Sequence, residues 1–456
     1  MVVIAQLKRE IQPQNMPQNN QFAPSAGSSL IQLMIPESPV MLLTKTLKLN
    51  GKFRLNQGAS TFATPVFPNN LARKGGGAYS ARLNERTGIN SCFQNITLSG
   101  LSSGGQTLES VRNVGRLLAT TNMLTKEQGE FDGFMNGRDP LIASRENISA
   151  VDVNTEVFFS IPLETGMIQG MDQIPIGKNG TRGLQVLIQL DNDSNVIIGS
   201  TAGGQTGNEN LFYSLVDVSL SYDVLQFDAK DTEMMERPGT GQLEYNSWSH
   251  QYSVINASDT QINLNFGTRN TLAVISNVIG TTDINDVLTD GFSTNNIRNT
   301  TAGAYDTDVI LNSVQFGKDG SKIPLDFRLD TEEQSIDNRP RVELIDALKG
   351  AMDVRQSART SISVNTENGI LTQLNLDGVE VATLDSAISV QTQSKPVFGF
   401  GINTDNISAV GRDYSNSTYS VRLESTLSGS APNSVDTYCL SKNVLTFSPQ
   451  GISVRS

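Results

Sequence analysis

The sequence predicts an all-β fold with two short helices, laid out as two similar halves. Three observations carry this. Short runs alternate apolar and polar residues, as in LQVLIQL, where Leu184, Val186, Ile188 and Leu190 share one face. Gly, Asn, Asp and Ser bound these runs, which is the pattern of antiparallel sheets with one wet face. Only two segments switch to helical periodicity, about 230 residues apart, and each lies between several β runs. Runs spaced this way suit a sandwich or jelly roll better than alternating α/β units.

In chain order, residues 1–30 come first. Pro, Gln, Asn and Ser dominate QPQNMPQNNQFAPSAGSS, and nothing in it is periodic. Such a stretch buries too little apolar surface to offset chain entropy, so it predicts a flexible N-terminal arm, or one that orders against a neighbouring subunit. The first group of β runs is Leu42–Leu49, Phe53–Leu55 and Ser91–Leu98. A helix is then predicted over 107–129, with Leu108, Val111, Val114, Leu117 and Leu118 on one face and Gly129 as its stop.

The β runs resume with Glu156–Pro162, Leu184–Leu190, Asn195–Ile198 and Leu215–Phe227. The mixed charges and Pro238-Gly239 of residues 228–245 read as the join between halves. Gln261–Phe266 and Val309–Phe316 lead to a second helix over 340–358. Pro340 suits its first turn, and Val342, Ile345, Leu348 and Met352 form its stripe. The last runs are Thr360–Val364, Val379–Leu384, Ser386–Gln391, Tyr419–Leu423 and Asn443–Phe447. Val111, Val114, Leu118, Ile345 and Leu348 are the expected core positions of the helices.

Composition narrows the function classes. The chain has 456 residues, with 34 Lys and Arg against 46 Asp and Glu, for a net charge of −12. That balance argues against a protein whose main work is gripping nucleic-acid phosphates. One histidine, His250, and two cysteines, Cys92 and Cys439, cannot build a His- or Cys-rich zinc site or a disulfide framework. Any Ser-His-Asp or Cys-His nucleophile would have to use His250. The opening MVVIAQLKREIQPQ lacks the long apolar core of a signal peptide, and no apolar run reaches the roughly 20 residues of a membrane span. The expectation is a soluble chain in a reducing compartment.

No motif specifies chemistry. Asp191, Asp193 and Asn195 open like a calcium loop, but Val196 stands where that loop needs Gly and Ala202 where it needs Glu. A hairpin turn is the expected reading. The Gly-rich stretches KGGGAYS, GKNGTRG and AGGQTGN match no phosphate loop and read as connections between strands. His250, beside Trp248, reads as structural. The sequence therefore names no catalytic residue, cofactor or metal.

The order of segments resembles the double jelly-roll major capsid proteins of icosahedral DNA viruses, in particular those of virophages, polinton-like viruses and small lipid-containing phages. In the first half LLTKTLKLNGKFRL looks like the opening strand, and GINSCFQNITLSG runs into TLESVRNVGRLLAT. FFSIPLETGMIQGMDQIPIG then precedes LQVLIQLD and FYSLVDVSLSYDVLQF. In the second half VQFGKDGSKIPL leads to RVELIDALKGAMD, and FGFGINTDN and GRDYSNSTYSVRLE resemble the family's final loop and strand.

The resemblance implies two consecutive eight-stranded jelly rolls, over 31–230 and 231–456. It implies self-assembly into homotrimeric, pseudo-hexagonal capsomers of an icosahedral shell. Pentons, minor capsid proteins and an internal membrane are the implied partners. The virion is the implied location, after assembly in the host cytoplasm or a virus factory. On this reading, removal of residues 1–28 leaves trimers but impairs shell closure, and the acidic excess faces away from a genome. The alternative is a β-sandwich spike or tail-fibre protein that binds host carbohydrate. One Trp and 6% aromatic residues weigh against it. A carboxylate-based glycosidase is a more distant third.

Overall fold

The structure, a computed structural model, describes residues 2–57, 64–66, 80–83, 87–102, 105–125, 156–200, 211–237, 239–255, 257–268, 270–281, 284, 309–323, 329–330, 397–401, 419–427 and 433–455. In chain order the strands begin with β1 (Val3–Ile11), β2 (Gln21–Phe22), β3 (Leu30–Ile35), β4 (Met41–Gln57), β5 (Thr64–Val66) and β6 (Ser80–Arg82). β7 (Phe93–Gly100), β8 (Gln106–Arg112), β9 (Glu156–Pro162), β10 (Gln173–Pro175), β11 (Leu184–Leu190), β12 (Ile198–Ser200) and β13 (Leu211–Phe227) follow.

After a short connection come β14 (Gly241–Ile255), β15 (Asp259–Leu264), β16 (Thr271–Gly280), β17 (Val309–Lys318) and β18 (Ser321–Ile323). β19 (Leu329–Asp330), β20 (Val397–Gly401), β21 (Tyr419–Leu427), β22 (Asn433–Ser448) and β23 (Gly451–Arg455) complete the set. Four α-helical segments are described: α1 (Val114–Thr125), α2 (Gly166–Gly170), α3 (Asp193–Val196) and α4 (Ala229–Glu236).

The pairing of these strands repeats. In the first half one sheet runs β1-β13-β4, with β9 and β10 both on the far side of β4, and the facing sheet runs β3-β11-β7-β8. In the second half one sheet runs β14-β22-β16-β20 and the other β15-β21-β17-β18. Counting the eight principal strands of each half, the first, eighth, third and sixth make one sheet. The second, seventh, fourth and fifth make the other. All of these pairs are antiparallel. An eight-stranded double sheet with this crossing order is a jelly roll, and the chain contains it twice.

Local sequence explains the strands. β11 buries Leu184, Val186, Ile188 and Leu190 and leaves Gln185, Leu187 and Gln189 partly or fully exposed, as its period of two predicts. Its buried face lies alongside Leu33 and Ile35 of β3 and Ile96 and Leu98 of β7. Leu42, Leu49 and Phe53 of β4 and Leu215, Leu220 and Val224 of β13 belong to the same core from the other sheet. Each such side chain contributes roughly 1.5–3 kcal/mol on burial.

Four expectations are corrected. The flexible arm over residues 1–30 is not what forms: Val3–Ile11 is β1, paired along β13, and Phe22 and Ala23 are fully buried. The partner of β1 lies more than 200 residues away, so composition alone could not reveal the pairing. Leu42–Leu55 is consequently the third principal strand and not the opening one. The helix expected over 107–129 begins only at Val114, because residues 106–112 are β8. The register of β8 against β7 shifts between Glu109 and Thr107, leaving Leu108 as a bulge. A bulge changes the phase of a strand by one residue, so buried Leu108 and Val111 fall three apart and imitate a helix. Val111, Val114, Leu117 and Leu118 are all buried.

Asn195–Ile198, expected as a strand, is the end of the helical turn α3 followed by β12. The helix expected over 340–358, with Ile345 and Leu348, and the runs Thr360–Val364, Val379–Leu384 and Ser386–Gln391 lie outside the described residues. In chain position, 340–358 falls between β19 and β20, as α1 falls between β8 and β9.

Candidate functional site: the seam between the two rolls

The two halves meet along a seam built by β8, α1 and α2 on one side and β14, β22 and β23 on the other. Main chains approach closely there. A Cβ on Gly166 would stand 2.9 Å from Ser247 Cα and 3.1 Å from the Asn246 carbonyl oxygen. Tyr245, Trp248, Tyr438, Leu445 and Phe447 of the second half join the hydrophobic core of the first.

Two polar networks cross the seam. The first centres on Asp436 of β22, which is fully buried. Its Oδ2 accepts from Arg116 Nη1 at 2.5 Å, its Oδ1 accepts from Asn113 Nδ2 at 2.9 Å, and His250 Nε2 lies 2.7 Å from Oδ1. Asn113 sits at φ 50, just before α1, and its carbonyl accepts from the Tyr438 hydroxyl at 2.9 Å. The Tyr438 ring packs 4.9 Å from the imidazole of His250. Burial alone would raise the Asp436 pKa. Arg116 and His250 override it and hold the carboxyl down at about 2. Burial disfavours the Arg116 guanidinium charge, and Asp436 more than compensates.

The second network centres on Glu109 of β8, also buried. Oε1 accepts from the backbone N–H of Gly166 at 2.9 Å and of Trp248 at 2.8 Å, and Oε2 from Met167 N–H at 2.8 Å. One carboxylate thus binds main chain from both rolls. Beside it the Tyr245 hydroxyl donates to the Leu108 carbonyl at 2.7 Å, satisfying the bulged residue from across the seam. Burial raises the Glu109 carboxyl to about 6, against the lowering effect of its hydrogen bonds.

The residues singled out in sequence are placed as follows. His250 is a seam residue with a carboxylate partner. Asp191 and Asp193 hold a turn: Asp191 Oδ1 accepts from Asn192 N–H and Asn195 Nδ2, and Asp193 Oδ1 accepts from Tyr213 N–H. Among the described residues, no group of three or more His, Cys, Asp or Glu side chains could hold a metal ion. GKNGTRG is the connection between β10 and β11, and Arg182 Nη2 reaches the Pro449 carbonyl across the seam at 3.3 Å. Cys92 and Cys439 are buried free thiols. Among the described residues, no helix is long and apolar enough to cross a membrane. Glu109, Asn113, Arg116, Asp436 and Tyr438 carried no local signal.

No protein-family model matches the sequence, and no curated protein matches it. Solved structures do. The Sputnik virophage structure matches at TM-score 0.56 and 8% identity, over all of this chain and 89% of that one. The Faustovirus major capsid protein matches at 0.54 and 9%, over 98% and 91%. PBCV-1 VP54, fitted into a reconstruction of Sputnik, matches at 0.53 and 12%, over 99% and 97%. Identities this low speak to the fold alone, and the repeated strand order says the same independently: the chain is a double jelly roll, the fold of these viral capsid proteins.

Proposed function

We propose that the chain is a structural capsid protein that self-assembles into homotrimers and then into an icosahedral shell. The observation that carries this is the repetition of one strand order in two rolls locked to each other by a buried seam. Three chains around a threefold axis then present six similar walls, a pseudo-hexagonal tile. The two units are the roll from β1 through β13 and the roll from β14 through β23, joined by α4. This extends the expected 31–230 roll to include the N-terminal strand.

The exposed edge of β1 supports self-association. Val2, Val3, Ile4 and Leu7 stand open to solvent there, and free apolar strand edges are normally covered by a neighbour. Pentons and minor capsid proteins fill the shell, with an internal membrane beneath it in the lipid-containing case. Assembly takes place in the host cytoplasm or a virus factory. The chain binds no specific nucleic-acid sequence and catalyses nothing.

Light scattering on the purified chain tests this. The expected particle has about three times the 49.3 kDa chain mass, with hexagonal outlines in negative stain. A stable monomer whose melting temperature rises with added glycans would overturn the reading in favour of a carbohydrate-binding spike.

A further inference from the structure

We propose that the outer face of the β1-β13-β4-β9 sheet receives the second roll of a neighbouring copy, repeating between chains the seam that joins the two rolls within one. This rests on the trimer proposed above and names the surface that builds it. Strand for strand, β1-β13-β4-β9 is the counterpart of β14-β22-β16-β20. In the second roll that face is occupied. Ile275 and Tyr438, opposite one another in the pairing of β16 with β22, are fully buried in one core with first-roll residues. On the same face Asp436 meets Asn113 and Arg116, and Asn277 Nδ2 donates to Thr120 Oγ1 at 3.3 Å.

The counterpart in the first roll stands open. Phe158 on β9 and Ile4 on β1 are each 64% exposed. Among the described residues nine large apolar side chains are exposed, and five of them lie on or just before the outer strands of this sheet: Val2, Val3, Ile4, Leu7 and Phe158. Single exposed apolar residues are ordinary, whereas a concentration on one sheet marks a contact surface. The polar groups of the face are already paired among themselves. Gln6 Nε2 donates to Asp223 Oδ2 at 2.8 Å, Ser219 Oγ to Glu10 Oε1 at 2.5 Å and Ser160 Oγ to Asn50 Oδ1 at 2.7 Å. Lys52 pairs with Asp217 at 2.9 Å and lies 5.3 Å above the Phe158 ring. Groups that are satisfied in advance cost little when a neighbour excludes their water.

Charge selects the occupant. Residues 1–230 carry 18 Lys and Arg against 19 Asp and Glu, and residues 231–456 carry 16 against 27. Almost the whole acidic excess therefore lies on the second roll. Two second rolls brought together repel, while a second roll against a first does not. The strand order supplies the matching surface. Within the chain β8 meets β14, through the Tyr245 hydroxyl on the Leu108 carbonyl and Glu109 on the Trp248 N–H. The counterpart of β8 in the second roll is β18, which pairs only with β17 among the described residues. A contact between unlike surfaces of the same chain closes into a ring, and three chains then alternate first and second rolls around it.

Amine cross-linking of full chains, co-assembled from heavy-isotope-labelled and unlabelled protein, reads the contact without any variant. Cross-links that join a labelled to an unlabelled peptide are expected to connect Lys8 or Lys48, exposed on the first roll, with Lys318 at the end of β17 or Lys322 on β18. The double variant Ile4→Asp with Phe158→Asp is expected to raise the concentration at which trimers dissociate by at least about 30-fold, the effect of losing one strong anchor. Its circular dichroism should match wild type, because both side chains are exposed within the chain. Leu30→Asp makes the same change at an exposed position on β3 of the other sheet and should leave dissociation as in wild type. Mixed cross-links that join only first roll to first roll or second to second overturn the proposal and leave the capsid reading standing. So do wild-type dissociation of the double variant and an equal loss in Leu30→Asp. A monomeric wild type overturns both.

Discussion

Removing the Asp436 carboxylate should cost the protein more than any other single seam substitution. Asp436→Ala takes the acceptor from three groups at once: the Arg116 guanidinium, the Asn113 amide and the His250 ring nitrogen. Arg116 is only 11% exposed and cannot recover its hydration without opening the seam. An uncompensated buried charge costs about 3–5 kcal/mol, against a typical total stability of roughly 5–15 kcal/mol. For rolls of this size that corresponds to a fall in melting temperature of roughly 5–10 °C.

Because Asn113 and Arg116 belong to one roll and Asp436 to the other, calorimetry should also show one transition becoming two. Arg116→Met with Asp436→Leu should lose less than the sum of the single variants, since the pair is then replaced by apolar groups. Acid gives an independent check. The carboxyl is depressed from 3.8 to about 2, so its contribution, on the order of 2 kcal/mol, is present above pH 3.8 and disappears as pH falls through about 2. A single transition within roughly 2 °C of wild type for Asp436→Ala would refute the reasoning.

Three further outcomes are expected. Deleting residues 2–28 should leave insoluble or unfolded chain and no trimers, because it removes β1 and the buried Phe22; soluble expression and light scattering decide it, and normal trimers would contradict the assignment of β1. Leu118→Asp places a charge at a position 4% exposed inside the first roll, which costs several kcal/mol and should abolish soluble protein in a sedimentation assay. Gly180→Ala brings a Cβ to within 2.1 Å of the Pro175 carbonyl oxygen, so the loop before β11 must move; a melting-temperature drop of a few degrees is expected, and an unchanged value would show that the loop yields freely.

The rolls were legible in the sequence where local pattern and burial coincide. β11 reads as a half-buried strand because its neighbours β3 and β7 leave one face dry along the whole of LQVLIQL. Phe53 and Leu215 lie opposite one another in the pairing of β4 with β13, and each belongs to a run that alternates without help from the other. Local pattern misled where geometry interrupted it. Leu108, Val111 and Val114 look helical only because a bulge and then the Asn113 turn reset the phase between them. β1 was invisible for a different reason: a polar, Pro-rich stretch over residues 12–29 follows it at once, and its ordering comes from β13, which synthesis delivers last in the roll.

The seam was illegible in principle. Asp436 lies 320 residues from Arg116 and 186 from His250, and Glu109 lies 139 residues from the Trp248 N–H it binds. Each of these side chains sits in a stretch that a solvated strand would tolerate equally well. What distinguishes them is that a second jelly roll closes over them, and this depends on the order of sixteen principal strands. The count of one histidine seemed at first only to remove catalytic classes. In the folded chain that histidine shares a carboxylate with an arginine from the other half. The proposed tile with six similar walls would need its two rolls held at one angle in every copy. Apolar packing alone tolerates sliding, whereas a buried acceptor with three directed donors does not. The polar residues of the seam therefore have a reason to persist that stability alone does not supply.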